Sequence, residues 1–397
     1  MAHAPQVKEK AEMPRLKGRF AAVAGVVLLA GCASVVPRGA PPPVQPRPPM
    51  SEAPPPVSNE LPQDVGRHRV ALLVPATGPN AGLGIAIANA ATMAIIQTNS
   101  TRLRITTYDT GHGAGAAAEK ALREGNELIL GPLLGADVRA VAPLARAAHV
   151  PVISFTNDST VAGNGVWVMG FLPQQSVDRV VHYAHDHGVN RFAGLMPNGI
   201  YGERAGAALL KTARSEGWPV VSMQTYAAAP ASMSGAVSRL TKAGAFDGVM
   251  IADSARESTM IGPWVKRSSN AHILGTELWN DRSISASPSL VGAWYASVAD
   301  GLFDQWVASY RTQFGKSPPR IASLGYDAVL LATRISNDWR SNQPFPVGKL
   351  VDKGGFAGLD GAFRFMRDGL SERALQVNQV TTAGVRIVSP APQSLGG

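Results

Sequence analysis

Side chains able to hold a small ligand recur at the ends of predicted strands. Thr77 follows the strand candidate 69–74, and Ser154 and Thr156 close and follow 152–154. Tyr201 comes after 192–196, and Glu277 and Asn280 after 272–274. Hydroxyls beside helix N-terminal amides suit a carboxylate. A glutamate facing them suits an amine. Ser154 and Thr156 opposite Glu277 therefore predict a cleft for a zwitterion such as an amino acid, with Thr77, Tyr201 and Asn280 along its walls. The same residue types also cap helices and turns, so a cleft lined only by capping groups is the alternative.

Other constellations carry less. His182, His185 and His187 lie in a segment ending at Gly188, with Asp186 among them. Zinc is imaginable there, but histidines at a helix end also interact with the helix dipole and solvent, and no metal is expected. Gly111-His112-Gly113-Ala114-Gly115 places its third glycine one position early for a dinucleotide fingerprint and follows the second strand; a glycine-rich turn explains it. No Gly-x-Ser-x-Gly elbow and no phosphate-binding Gly-x-x-x-x-Gly-Lys-Ser/Thr loop occurs. Neither a catalytic set nor a cofactor is expected. Trp264, Trp279, Trp294 and Trp306 read as core residues, with Trp279 set apart by its neighbours Glu277, Asn280 and Asp281.

These residues must be positioned by alternating elements. Strands at 69–74, 102–108, 128–130 and 152–154 alternate with helices at 83–97, 114–124 and 136–148. A second series has strands at 192–196, 220–226, 248–252 and 272–274, with helices at 176–185, 202–216, 236–243 and 258–266. Such alternation implies parallel sheets and right-handed crossovers. The fold class is α/β, with two doubly wound lobes. Helices at 303–314 and 323–336 and an antiparallel finish at 362–365 and 375–380 break the rhythm. The division expected is a first lobe of about 67–171 plus 300–342, and a second of about 172–299 plus 343–390.

The N-terminal part is of another kind. Lys8, Lys10, Arg15, Lys17 and Arg19 precede an apolar run from Phe20 to Ala30, the pattern of a secretory signal over residues 1–31; Met13 is an alternative start. The run is about half the length that spans a bilayer. Residues 1–31 carry five Lys/Arg and two Asp/Glu, so their removal lowers the formal net charge from +9 to +6. With no basic run interleaved with aromatics, nucleic-acid binding is disfavoured. Eleven of the thirty residues 33–62 are proline, which makes 32–66 an extended linker. Cys32 is the sole cysteine, so no disulfide forms within the chain.

Several motifs, in order, resemble the type I periplasmic binding proteins, the leucine-binding-protein-like fold. They are Val70-Ala71-Leu72-Leu73-Val74-Pro75 with Thr77-Gly78-Pro79; Leu130-Gly131-Pro132; Pro151-Val152-Ile153-Ser154; Tyr201-Gly202; Tyr326-Asp327-Ala328; and Phe356-Ala357-Gly358-Leu359-Asp360-Gly361. The resemblance covers about 69–388. Leu29-Ala30-Gly31-Cys32 resembles the bacterial lipobox, which implies cleavage before Cys32 and a lipid on its thiol. Ala33, where an aspartate would retain the protein at the inner membrane, implies transfer to the outer membrane, facing the periplasm.

The chain resembles two branches of this fold. One is the penicillin-binding protein activator family, outer-membrane lipoproteins; its better-known members carry a helical repeat domain where this sequence has the proline-rich stretch. That branch implies a non-enzymatic regulator of peptidoglycan synthesis whose partner is a penicillin-binding protein. The other branch is the amino-acid receptors, and it implies a substrate-binding lipoprotein of an ABC importer with Ser154 and Thr156 on the ligand carboxylate, Glu277 on the amine and Tyr201 lining the cleft. Gly135 departs from that branch, which commonly offers a hydroxyl there. The anchor and spacer favour the activator.

Overall fold

The computed structural model describes residues 66–395 apart from 282, 285 and 286. Cys32, the signal segment and the proline-rich stretch lie outside the described residues.

The first lobe is built on β1 (His68–Val74), β2 (Leu103–Asp109), β3 (Leu128–Leu130), β4 (Val152–Ser154) and β5 (Val166–Val168), all parallel in the order β2-β1-β3-β4-β5. Central β1 is apolar from Val70 to Val74, and each of these residues is buried. A parallel strand covered on both faces must read this way. The covering helices are α1 (Ala81–Thr98), α2 (Ala114–Arg123) and α3 (Gly135–Ala147). Long and apolar α1 is a core helix: Ile87, Ala91 and Ala94 pack with Leu324, Ala328 and Leu331.

The second lobe repeats the plan. It contains α4 (Pro173–Asp186), β6 (Phe192–Pro197), α5 (Ile200–Glu216), β7 (Val220–Tyr226), α6 (Pro230–Lys242), β8 (Gly248–Ile251), α7 (Ala255–Ser268), β9 (His272–Gly275) and β10 (Trp294–Ser297). Its parallel strands run β10-β9-β8-β6-β7, so β1 and β6 occupy equivalent places in their sheets. In each lobe the order reverses beside the first strand, where open α/β sheets form a crevice at the carboxyl ends of their strands.

The remaining chain is placed otherwise than predicted only beyond about residue 342. Helices α8 (Gly301–Phe314) and α9 (Ser323–Ser336) join the first lobe against α1. So does the antiparallel meander β11 (Phe356–Gly358), β12 (Gly361–Phe365) and β13 (Ser371–Arg373). Sequence reading placed 343–390 in the second lobe. Phe345, Leu350, Phe356, Phe363 and Phe365 instead fill the first lobe's core, and Leu370 bridges β5. Only β14 (Gln376–Thr381) and β15 (Gly384–Ser389) return to the second lobe, antiparallel to β10 and to each other. The short strands β5 and β10 carry too few residues to stand out by periodicity.

The chain thus crosses between the lobes at 170–172, 298–300 and 374–375. Arginines tie these crossings together. Arg373 donates from Nη2 to the Met169 carbonyl at 2.6 Å and lies 4.9 Å over the Phe171 ring. Arg320 pairs with Asp300, donates to the Ala299 carbonyl at 2.7 Å, and reaches Asp360 from Nε at 2.9 Å. Its guanidinium rests 4.1 Å over the ring of Phe303.

Candidate functional site

The loops after β3, β4 and β9 face one another across a pocket of about 400 Å3. Its apolar wall comes from Leu83, Leu133, Leu134, Phe155, Phe171 and Ile321; the facing lobe supplies Glu277, Leu278, Asn280 and Asp281. Glu277 is held at one edge of this lining by hydroxyls that stand behind it. Ser176, in the first turn of α4, donates its hydroxyl to Glu277 Oε2. The Tyr201 hydroxyl, on the first turn of α5, lies 2.9 Å from Oε1 and 2.8 Å from Thr276 Oγ1. One phenolic proton serves both contacts if Tyr201 donates to the carboxylate and accepts from Thr276. Burial pushes the Glu277 carboxyl above the usual range, against the hydrogen bonds from Ser176 and Tyr201 that favour its charge. Burial, together with the Glu277 charge, pushes the Tyr201 phenol well up. The result is a carboxylate oriented by two hydroxyls and its own backbone amide, at the edge of a mainly apolar pocket.

Asn280 lines the same pocket and donates from Nδ2 to Asp300 Oδ1 at 2.8 Å, tying the Glu277–Trp279 turn to the middle crossing. Glu277 and Asn280 are therefore gathered at the pocket, with Tyr201 bonded behind Glu277. The other three candidates are not. Ser154 is fully buried; its hydroxyl donates to the Pro132 carbonyl at 2.9 Å and accepts from the Thr156 amide at 3.2 Å. Thr156 is also buried, and its Oγ1 accepts from the Asp158 amide at 3.1 Å. Phe155 and Asn157 line the pocket, while the two hydroxyl residues alternating with them bond inward to the protein. The carboxylate role read for Ser154 and Thr156 thus falls on the wrong face of the alternation. Thr77 is exposed and donates to Asp109 Oδ2 at 2.6 Å. That bond and the Gly111 amide are the chief reasons the Asp109 carboxyl drops to about 2. Gly111 is explained as well, because a Cβ there would lie 2.3 Å from Thr77 Oγ1.

Trp279 is fully buried, against Tyr295, and does not touch the pocket. Its indole lies flat on Gly275, where a Cβ would come within 2.2 Å of the ring. The histidines are engaged in packing. His185 stacks on Trp218 at 3.9 Å, His187 on Tyr183 at 4.0 Å, and His182 Nδ1 donates to the Asp178 carbonyl at 2.8 Å. Among the described residues no group of three or more His, Cys, Asp or Glu is placed to hold a metal ion.

Sequence reasoning missed Ser176, Phe171 and Arg320, and with them the pair Asp158 and Arg204. Asp158 is buried after β4, while Arg204 comes from α5 of the second lobe; Arg204 Nη2 lies 2.6 Å from Asp158 Oδ1. A lone Asp in a Ser/Thr-rich turn and a lone Arg on a helix, 46 positions apart, give no local signal.

Solved structures share this architecture. They include a leucine-binding protein, LivK, from Thermotoga maritima (TM-score 0.62, 17% identity, covering 82% of this chain and 98% of that one). A solute-binding protein of an ABC transporter from Rhodopseudomonas palustris BisB5, in complex with 3,4-dihydroxybenzoic acid, has a TM-score of 0.65 at 18% identity and covers 84% and 98%. The branched-chain amino-acid substrate-binding protein LivJ from Streptococcus pneumoniae, in complex with isoleucine, has a TM-score of 0.61 at 16% identity and covers 82% and 100%. At such identities the likeness is one of fold. An uncharacterized protein of Rickettsia prowazekii is 26% identical over 136 residues, 34% of this chain and 36% of that protein's length. A family model described as periplasmic binding protein matches residues 68–384, nearly the whole two-lobed body. The chain belongs to the periplasmic binding protein family.

Proposed function

We propose that this is a non-catalytic solute-binding protein of the periplasm whose cleft takes a small ligand with an amino group and an apolar body. Glu277 carries the reading: its carboxylate lies in an apolar pocket, is oriented by Ser176 and Tyr201, and is met by hydroxyls rather than by a cation. Burying a carboxylate is unfavourable until a positive charge joins it, and a ligand ammonium supplies that charge. Leu83, Leu134, Phe155, Phe171 and Leu278 then receive the apolar body. The solute-binding proteins of like fold, with isoleucine or dihydroxybenzoic acid bound, support a ligand in this cleft. A carboxylate anchor on Ser154 and Thr156 lacks support, because their hydroxyls are committed within the loop.

Thermal-shift titration tests the proposal with apolar amino acids, the corresponding amines and the corresponding acids. A ligand at 100 times its Kd adds about 2.7 kcal/mol to stability. Amino-bearing compounds should raise Tm, and Glu277→Gln should weaken their binding about tenfold or more, the range for a hydrogen bond to a charged group. Binding by the acids alone, or full affinity in Glu277→Gln, overturns it.

A second reading is favoured by Cys32 and the proline-rich stretch. On it, the protein is a lipid-anchored regulator at the outer membrane that contacts a penicillin-binding protein through its surface. Pull-down and stimulation of transpeptidase activity by the mature chain test it; absence of both refutes it.

A further inference from the structure

We infer that Asp158 and Arg204 are positioning residues that hold the two lobes together, so that the chain's own carboxylate sets the width of the cleft. Asp158 belongs to the first lobe, where it caps the short Ser159–Val161 turn by accepting from the Thr160 amide at 2.9 Å and its hydroxyl at 2.6 Å. Arg204 belongs to the second lobe, in the early part of α5. One guanidinium grips two successive residues across the cleft: Nη2 lies 2.6 Å from Asp158 Oδ1, and Nη1 donates to the Asn157 carbonyl at 3.3 Å.

The Arg204 and Asp158 side chains are only 16% and 7% exposed. Water and salt therefore screen the pair far less than a surface pair. Removing Asp158 would leave the Arg204 charge with its burial uncompensated, whereas removing Arg204 would leave Asp158 paired within its own lobe. Arg139, on α3 of the same lobe as Asp158, takes the second oxygen at 2.7 Å and fixes the plane of the carboxylate. Gly135 makes room for it: a Cβ at 135 would lie 2.7 Å from Asp158 Oδ2 and 2.9 Å from its Cβ. A further contact joins the same loop to the second lobe, from Gln174 Nε2 on α4 to Ser159 Oγ at 2.9 Å.

A ligand shifts a two-state equilibrium only by its differential affinity for the states. Here an intramolecular pair already favours the narrow cleft, independently of any solute.

Spin labels on exposed helical positions read the lobe separation. Lys120→Cys on α2 and Lys211→Cys on α5 serve, in a Cys32→Ala background, with pulsed dipolar spectroscopy on the otherwise full chain. The parent should show one narrow distance. Arg204→Gln and Asp158→Ala should add a longer distance, the open population rising about tenfold or more, as loss of a charge-assisted hydrogen bond implies. Arg139→Gln removes a contact within one lobe and should leave the distance unchanged. Millimolar acetate should restore the short distance in Asp158→Ala, seating a free carboxylate between the two arginines, and should do nothing in Arg204→Gln. Small-angle scattering on unlabelled variants gives a second measure. Unchanged distances in both Arg204→Gln and Asp158→Ala, or equal opening in Arg139→Gln, overturn the inference; so does loss of folded structure in Asp158→Ala without acetate rescue.

Discussion

Asp327 sits fully buried near the start of α9, with one oxygen accepting the Leu359 amide at 2.8 Å and the other unmatched. Burial first, and then the neighbouring negative charge of Asp360, pushes its carboxyl up to about 7. An unfolded aspartate titrates near 3.9. Between about pH 4 and 7 the folded protein therefore binds the extra proton, and stability falls as pH rises through that window. Asp327→Asn should remove this slope, with urea midpoints at pH 5 and pH 8 drawing together. A slope kept in the variant would mean that another group titrates. Asp158 works in the opposite sense. Burial alone would raise its carboxyl, but hydrogen bonds from Thr160, Arg204 and Arg139 bring it down to about 2. Its contribution is present above pH 4 and is lost as pH falls towards 2. Glu277, Tyr201 and Asn280 were legible in the sequence because they follow strands whose carboxyl ends line a crevice. Ser154 and Thr156 follow the same logic and fail it, since strand ends are predicted to within a residue or two while facing depends on the single residue.

Elements were more legible than residues wherever apolar runs or helical spacing were long, as for β1, α5 and α9. Register and partnership were less so. The phenylalanines of β11 and β12 carry no mark of which lobe they enter; that choice is made by the space beside α9. Close backbone approach was equally silent. Gly275, at the end of β9, is needed because Trp279 folds back onto it. Gly275→Ala should destabilise by about 1–3 kcal/mol, the usual range for overpacking a core, read as a lower denaturant midpoint with unchanged slope. Gly84 on α1 and Gly202 on α5 repeat one device in the two lobes. A Cβ at either would lie 1.9 Å from a carbonyl oxygen, that of Pro75 or of Pro197. Gly202→Ala should shift the start of α5 and with it Arg204, so the spin-label distance should broaden as in Arg204→Gln.

For the whole molecule, three crossings bound by Arg320 and Arg373 make one hinge region, and the Asp158–Arg204 pair bridges the lobes at a separate place. Neither lobe is a continuous piece of chain. The first lobe is finished by α8, α9 and the meander, which follow β10, so α1 near residue 90 waits for α9 near residue 330 to cover it. Such distant pairings slow folding, because loop closure precedes the contacts that reward it. A fragment ending at Phe171 keeps all five strands of the first sheet but lacks α9 and the core residues Phe345, Phe356, Phe363 and Phe365, and should remain unfolded by circular dichroism. A cooperative thermal transition in that fragment would refute this. A first lobe that cannot close until the last third of the chain is present leaves β1 to β5 open to proteases and to pairing with other chains until α9 arrives.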